Sequence, residues 1–198
     1  MEIVPKQEQG IQSDTIATRN FASEDEAHDF FLIAKQRLLQ ISNWKNLIGN
    51  LSADFYLCDS HGDEVQRTVE KNDYIKIDIP GPGTVAGNGN DWVHVESLQE
   101  ESNEKEEMTC VKVRPASSPL NDNKDIAHFF DDSATSSFIV KRRECIVSAE
   151  VHGRNEKPNV ETEALQDKIR NTIIATAAAT GFSKLQWKLL AEGLIKEI

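Results

Sequence analysis

The sequence predicts an α+β protein in which a curved antiparallel β-sheet packs around a long C-terminal helix, with an additional helical segment after it. Three observations predict this. An amphipathic helix with its own start signal stands near the N-terminus. Segment after segment between Ala53 and Val151 alternates with a period of two. Leu165, Ile169, Ile173 and Ala177 then repeat every four residues.

Residues 1–10 are polar and read as a flexible terminus, leaving 11–198 as a single domain. Ile11 to Arg19 is a candidate first strand. Ser23-Glu24-Asp25-Glu26 has the form of a capping box, so a helix is expected to begin at Glu24. Its apolar residues, Ala27, Phe30, Phe31, Ala34, Leu38 and Ile41, fall on one face. Acidic side chains open the helix and Lys35 and Arg37 come late, as the helix dipole prefers. Trp44 and Leu47, followed by Gly49-Asn50, read as a short helical turn and its stop.

Ala53, Phe55 and Leu57 begin the alternating region, and a turn at Asp59 to Asp63 leads out again through Glu64 to Val69. Ile75, Ile77 and Ile79 share one strand face. Pro80 to Asn90 holds four glycines, two prolines and two asparagines, and Val93 and Val95 resume the alternation after it. The loop has neither GxxxxGK[ST] nor a GxGxxG that opens a helix, so it reads as a strand-to-strand connection and a candidate rim of a cavity. Glu100 to Glu107 is expected to be a solvated acidic turn before Thr109, Val111 and Val113. Arg114 to Ser137 is a long connection in which Ile126, Phe129 and Phe130 suggest a short helix. Phe138 and Val140 pair across Arg142-Arg143-Glu144 with Cys145, Val147, Ala149 and Val151. Glu161 to Thr180 is expected to be helical, with Gly181 as a stop. Ser183 to Gln186 is a second capping box, opening a segment striped by Trp187, Leu190, Ala191, Leu194 and Ile198. That stripe either packs across the outside of the domain or forms a homodimer contact.

The formal net charge of −11 opposes nucleic-acid phosphates and anionic membranes, so no nucleic-acid partner is expected. The N-terminus lacks a secretory pattern, no run is long and apolar enough for a membrane span, and a cytoplasmic location is expected. Cys58, Cys110 and Cys145 are odd in number with no CxxC and read as free thiols. The five histidines are scattered without HExxH or HxH. No metal site and no cofactor are expected.

The helix from Glu24 with Trp44 after it, the strands between Ala53 and Val151, and the helix from Glu161 follow one another in an order that resembles the helix-grip folds of the START-like and Bet v 1-like (SRPBCC) superfamily. The resemblance covers residues 11 to 182. It implies a hydrophobic cavity between sheet and C-terminal helix that takes lipids, sterols, polyketides or other apolar molecules, and in a minority of members cyclase-like or aromatase-like chemistry there.

Candidate lining residues for such a cavity are Phe55, Ile77, Val95, Phe138, Val147 and Ile173. Trp92 and His94 share a strand face with Glu96, and His152 and Arg154 alternate onto one side with Glu156, so Trp92, His94, His152 and Arg154 are the candidate polar contacts. Where these faces meet, an imidazole, a guanidinium and a carboxylate can hold a polar head or move protons; otherwise they are cross-strand pairs facing solvent. Three functional readings follow: binding of a small apolar or amphipathic ligand, an interaction or structural module working through its acidic surface or a C-terminal-helix dimer, and a cyclase/aromatase-like enzyme using His94 or His152.

Overall fold

The computed structural model describes residues 3–49, 53–79, 84–159, 181 and 184–197. Ile173 and the rest of the expected helix from Glu161 to Thr180 lie outside the described residues, as do Ser183 and the first part of the Gly/Pro loop.

The first strand, β1 (Ile11–Asn20), leads into helix α1 (Glu24–Leu39) through the expected cap. The Ser23 hydroxyl accepts from the Glu26 amide, and the Glu26 carboxylate reaches back to the Ala22 amide, each at 3.2 Å. A 3-10 turn (Ile41–Asn43) joins α1 to α2 (Trp44–Ile48), which stops at Gly49 with φ of 99°. Six further strands follow: β2 (Asp54–Cys58), β3 (Tyr74–Asp78), β4 (Asp91–Ser102), β5 (Glu106–Pro115), β6 (Thr135–Arg143) and β7 (Ile146–Glu156). Residues 184–194 form a C-terminal helix, α3.

All strands lie antiparallel in one sheet, ordered β1-β7-β6-β5-β4-β3-β2, so every connection is to a neighbour except the return of β1 onto β7 and the passage from β1 through the helices to β2. Alternation works as expected. Phe55, Leu57, Ile75, Ile77, Val93, Val95, Val111, Val113, Phe138, Val140, Val147, Ala149 and Val151 all face the helices and form one core with them.

The curvature of the sheet can be read from aromatic contacts. β2 and β6 are four strand positions apart, roughly 19 Å if the sheet were flat. Yet Phe55 and Phe138 both pack on Trp44, with ring centroids 5.4 and 4.9 Å away, and Trp187 of α3 closes the group at 6.2 Å from Phe55 and 5.1 Å from Phe138. The inner face therefore curls around an aromatic plug supplied by α2 and α3. Of the last segment's apolar stripe, Leu190, Ala191 and Leu194 are fully buried in this core, and Gly193 lets the helix lie against the Leu47 carbonyl.

Several expectations are revised. The acidic stretch is mostly strand, because β4 runs to Ser102 and β5 resumes at Glu106, with Asn103 capping the tight turn between them. Glu107 is buried against Arg142 (2.5 Å) and touches His28 of α1 (2.7 Å). Residues 64–69 make a single bridge at Glu64 instead of a strand. No helix forms around Ile126, since the backbone of the connection serves other segments: Trp92 donates to Ala127, Ala127 to Ala116, and Asp131 to Lys157. On the outer face, Ile3 and Val4 lie against Met108, Cys110 and Ile139, and the Glu8 and Gln9 amides donate to Asn155.

A polar recess at one end of the inner face

Where β3 and β7 end and β4 begins, on one side of the sheet, buried polar groups interrupt the apolar core. Ile77 and Ile79, the connection residues His128, Phe129 and Phe130, Ser136 of β6, Glu156 of β7, and Gln186 and Trp187 of α3 surround a recess of about 30 Å³. That is the volume of about one water molecule.

Each polar group reaches the recess for a local reason. Glu156 would point outward with His152 and Arg154 if β7 alternated to its end. It does not, because Asn155 takes a left-handed conformation (φ of 56°) and shifts the phase. The Glu156 carboxylate then lies over Gly153, where a Cβ would stand 2.1 Å from Oε1, and accepts from the Ser13 hydroxyl at 3.3 Å. Burial raises its pKa. His128 is held by its backbone, with Nδ1 accepting from the Phe130 amide at 2.9 Å and the ring stacked on Phe129 at 4.3 Å. Burial pushes this imidazole down to about 3, so it is neutral. Gln186 is anchored by accepting from the Ala53 amide at 3.0 Å.

Asp91 sits beside this group, opposite Ile77 in the ladder and on the inward parity of β4. It is 4% exposed, and burial pushes its carboxyl up to about 7 against the pull of the Phe129 amide and the Thr84 hydroxyl. The recess thus presents a neutral imidazole, an amide, and a carboxyl whose pKa burial raises, with the raised Asp91 carboxyl beside it. Such a set can donate to and accept from an uncharged polar group.

The residues predicted from sequence divide by face. Phe55, Val95, Phe138 and Val147 are inside the main core, and Ile77 is both core and recess wall. Trp92, His94, His152 and Arg154 are on the outer face. Trp92 packs with Cys58 and Ala127, its indole nitrogen buried without a partner, while His94 lies 5.1 Å from the Tyr74 ring. His152 is held between Asp14 (2.5 Å) and Glu150 (2.9 Å), which raise its pKa, and Arg154 binds Asp14 at 2.7 Å. His94 and His152 belong to strands three positions apart, roughly 14 Å, and do not form one site. The sequence reading missed Asp91, His128 and Gln186. For Asp91 the signal was present, since it shares parity with Val93 and Val95.

An N-terminal strand, two short helices, six antiparallel strands and a C-terminal helix, with β1 closing on β7, decide the architecture. The fold is helix-grip and Bet v 1-like. No protein-family model and no curated protein matches the chain. Among solved structures it is similar to a hypothetical protein from Helicobacter pylori, 10% identical, covering 93% of this chain and 84% of that one with a TM-score of 0.51, a likeness of fold. Also similar are norcoclaurine synthase from Thalictrum flavum in complex with dopamine and hydroxybenzaldehyde (11% identity, 92% and 88% covered, TM-score 0.37) and major latex-like protein 151 from Panax ginseng (9%, 86% and 96%, TM-score 0.34). Within this helix-grip sheet no group of three or more His, Cys, Asp or Glu side chains is placed to hold a metal, among the described residues, and none of the described helices is long and apolar enough to cross a membrane.

Proposed function

We propose that the protein binds a small apolar or amphipathic molecule at this end of the inner face, with its polar group taken by the recess. The observation that supports the reading is the convergence of His128, Glu156 and Gln186, all buried, beside Phe129, Phe130 and Trp187, with buried Asp91 held by the Phe129 backbone next to them. Burying such groups costs roughly 1–3 kcal/mol for each one left incompletely paired, and a ligand that bonds them recovers part of that cost. The pKa directions favour an uncharged head such as a hydroxyl or carbonyl over a carboxylate. At about 30 Å³ the recess admits an organic molecule only when the aromatic wall, Phe129 or Trp187, swings away.

Native mass spectrometry of freshly purified protein, followed by denaturing extraction, tests this directly. Retained mass above that of the chain is expected. The neutral amphiphile 1-aminoanthracene should also bind, with its affinity lowered by Glu156→Gln and by Trp187→Phe. Protein that is empty and takes up no probe would sink the reading.

An enzyme of the cyclase or aromatase kind would do its acid/base work on His128 and Glu156, since His94 and His152 face the other side. For the interaction-module reading, the burial of Leu190 and Leu194 in the chain's own core counts against the C-terminal helix as a docking stripe.

A further inference from the structure

The two edges of the sheet are treated differently. At the β2 edge, Leu57 is occupied on its outer side, its amide donating to the Ser42 hydroxyl and its carbonyl accepting from the Val65 amide. β1 pairs with β7 on one side and with no described strand on the other. It is ten residues long and has neither lysine nor proline, the usual means of blunting an exposed edge.

Along that free side runs an open groove of about 480 Å³. Consecutive residues from Gln12 to Ala17 line it, not alternate ones, so its floor is the backbone edge itself. Its wall is a stripe of α3 with a four-residue step, Lys184, Lys188 and Glu192. A slot between a strand edge and a helix, six residues or roughly 20 Å long, has the shape of another extended strand.

We infer that this slot is filled by β1 of a second copy, so that two sheets join into one across a two-fold axis. Charge favours this occupant. The groove carries two lysines against Asp14 and Glu192, and β1 itself carries one Asp and one Arg, so this edge is balanced on a chain of net charge −11 and faces its own copy without net repulsion.

The register follows from the side chains. Antiparallel partners share a face, so paired residue numbers sum to an even value. A sum of 28 sets Asp14 on Asp14 of the second copy, and 30 sets Ile16 on Asp14. A sum of 32 sets Ile16 on Ile16, with Asp14 opposite Thr18, Gln12 opposite Asn20, and Ser13 opposite Arg19. Ile16 is 58% exposed in the single chain, and this register covers it with its own image.

Sedimentation velocity of the full chain should show a dimer, and Ile16→Lys should raise its dissociation constant at least about tenfold, equivalent to ~1.4 kcal/mol, with an unchanged circular dichroism spectrum. In a Cys145→Ser background, Ile16→Cys should oxidise to a disulfide-linked dimer. Gln12→Cys alone should not, while a mixture of Gln12→Cys and Asn20→Cys should give the mixed dimer. A chain that stays monomeric at its highest soluble concentration, with no link through residue 16, overturns the inference. So does a dimer that Ile16→Lys leaves intact.

Discussion

Asp91 shows how a single residue sets a pH response. Its folded pKa of about 7 lies above the unfolded value of 3.8, so the folded chain holds the proton more tightly. Stability is then unaffected by this group in strong acid, falls as pH rises from about 4 to 7, and stays lowered above that range. Asp91→Asn keeps an acceptor for the Phe129 amide and removes the ionisation. In urea unfolding its advantage over the native chain should grow by on the order of 3–4 kcal/mol between pH 4 and pH 8. An advantage that does not vary with pH would mean that Asp91 ionises normally in the folded chain. Glu156 acts in the same direction, its raised pKa costing stability once it must ionise. His128, held down to about 3, does the reverse and weakens the fold as pH falls below its ordinary value of 6.5. The recess is most comfortable when all three are uncharged.

Among the elements, α3 depends on a close approach that few residues permit. A Cβ on Gly193 would stand 2.7 Å from the Leu47 carbonyl oxygen and 3.0 Å from the Leu47 Cβ. Alanine at a helical position ordinarily gains about 1 kcal/mol over glycine. Here Gly193→Ala should instead destabilise, by about 1–3 kcal/mol, as an overpacked core site does; a rise in melting temperature would show that α2 and α3 can part without cost. In the same spirit, Ser23→Ala should cost about 1 kcal/mol by removing the cap of α1, measured by chemical denaturation.

These two elements also show why parts of the fold were legible in the sequence and parts were not. The start of α1 and the strands through Phe55, Ile77, Val111 and Phe138 depend on local hydrogen bonds and a short repeat, and both are visible in the order of residues. The connection from Ala116 to Ala134 depends on the backbone of Trp92, Lys157 and Asn159, which no window of sequence contains. The turn of Glu156 into the core depends on one left-handed residue, Asn155, and that phase shift moved a site residue from one face of the sheet to the other. The candidate site was correspondingly less legible than the fold. Ile77 was found by alternation, whereas His128 and Gln186 reach the recess only through tertiary contacts.

For the whole molecule, the core is shared between the sheet and its last helix. Leu190, Leu194 and Ile195 are at most 7% exposed, and burying each is worth roughly 1.5–3 kcal/mol. Their sum is comparable with the ~5–15 kcal/mol net stability of an ordinary domain. A chain ending at residue 183 should therefore lose its cooperative thermal transition and bind the dye 8-anilinonaphthalene-1-sulfonate through its exposed inner face. A sharp transition in that truncated chain would show that the sheet stands without α3.

The return of β1 onto β7 also bears on how the molecule is made. β1 pairs with β7, more than a hundred residues further along the chain, so this pairing waits until β7 has been synthesised. Long-range pairing of this kind belongs to the slower folding classes, in the millisecond-to-second range. Until β7 appears, a ten-residue strand without lysine or proline waits beside other copies on the same message, and the inferred contact between two finished molecules would also be open to two unfinished ones.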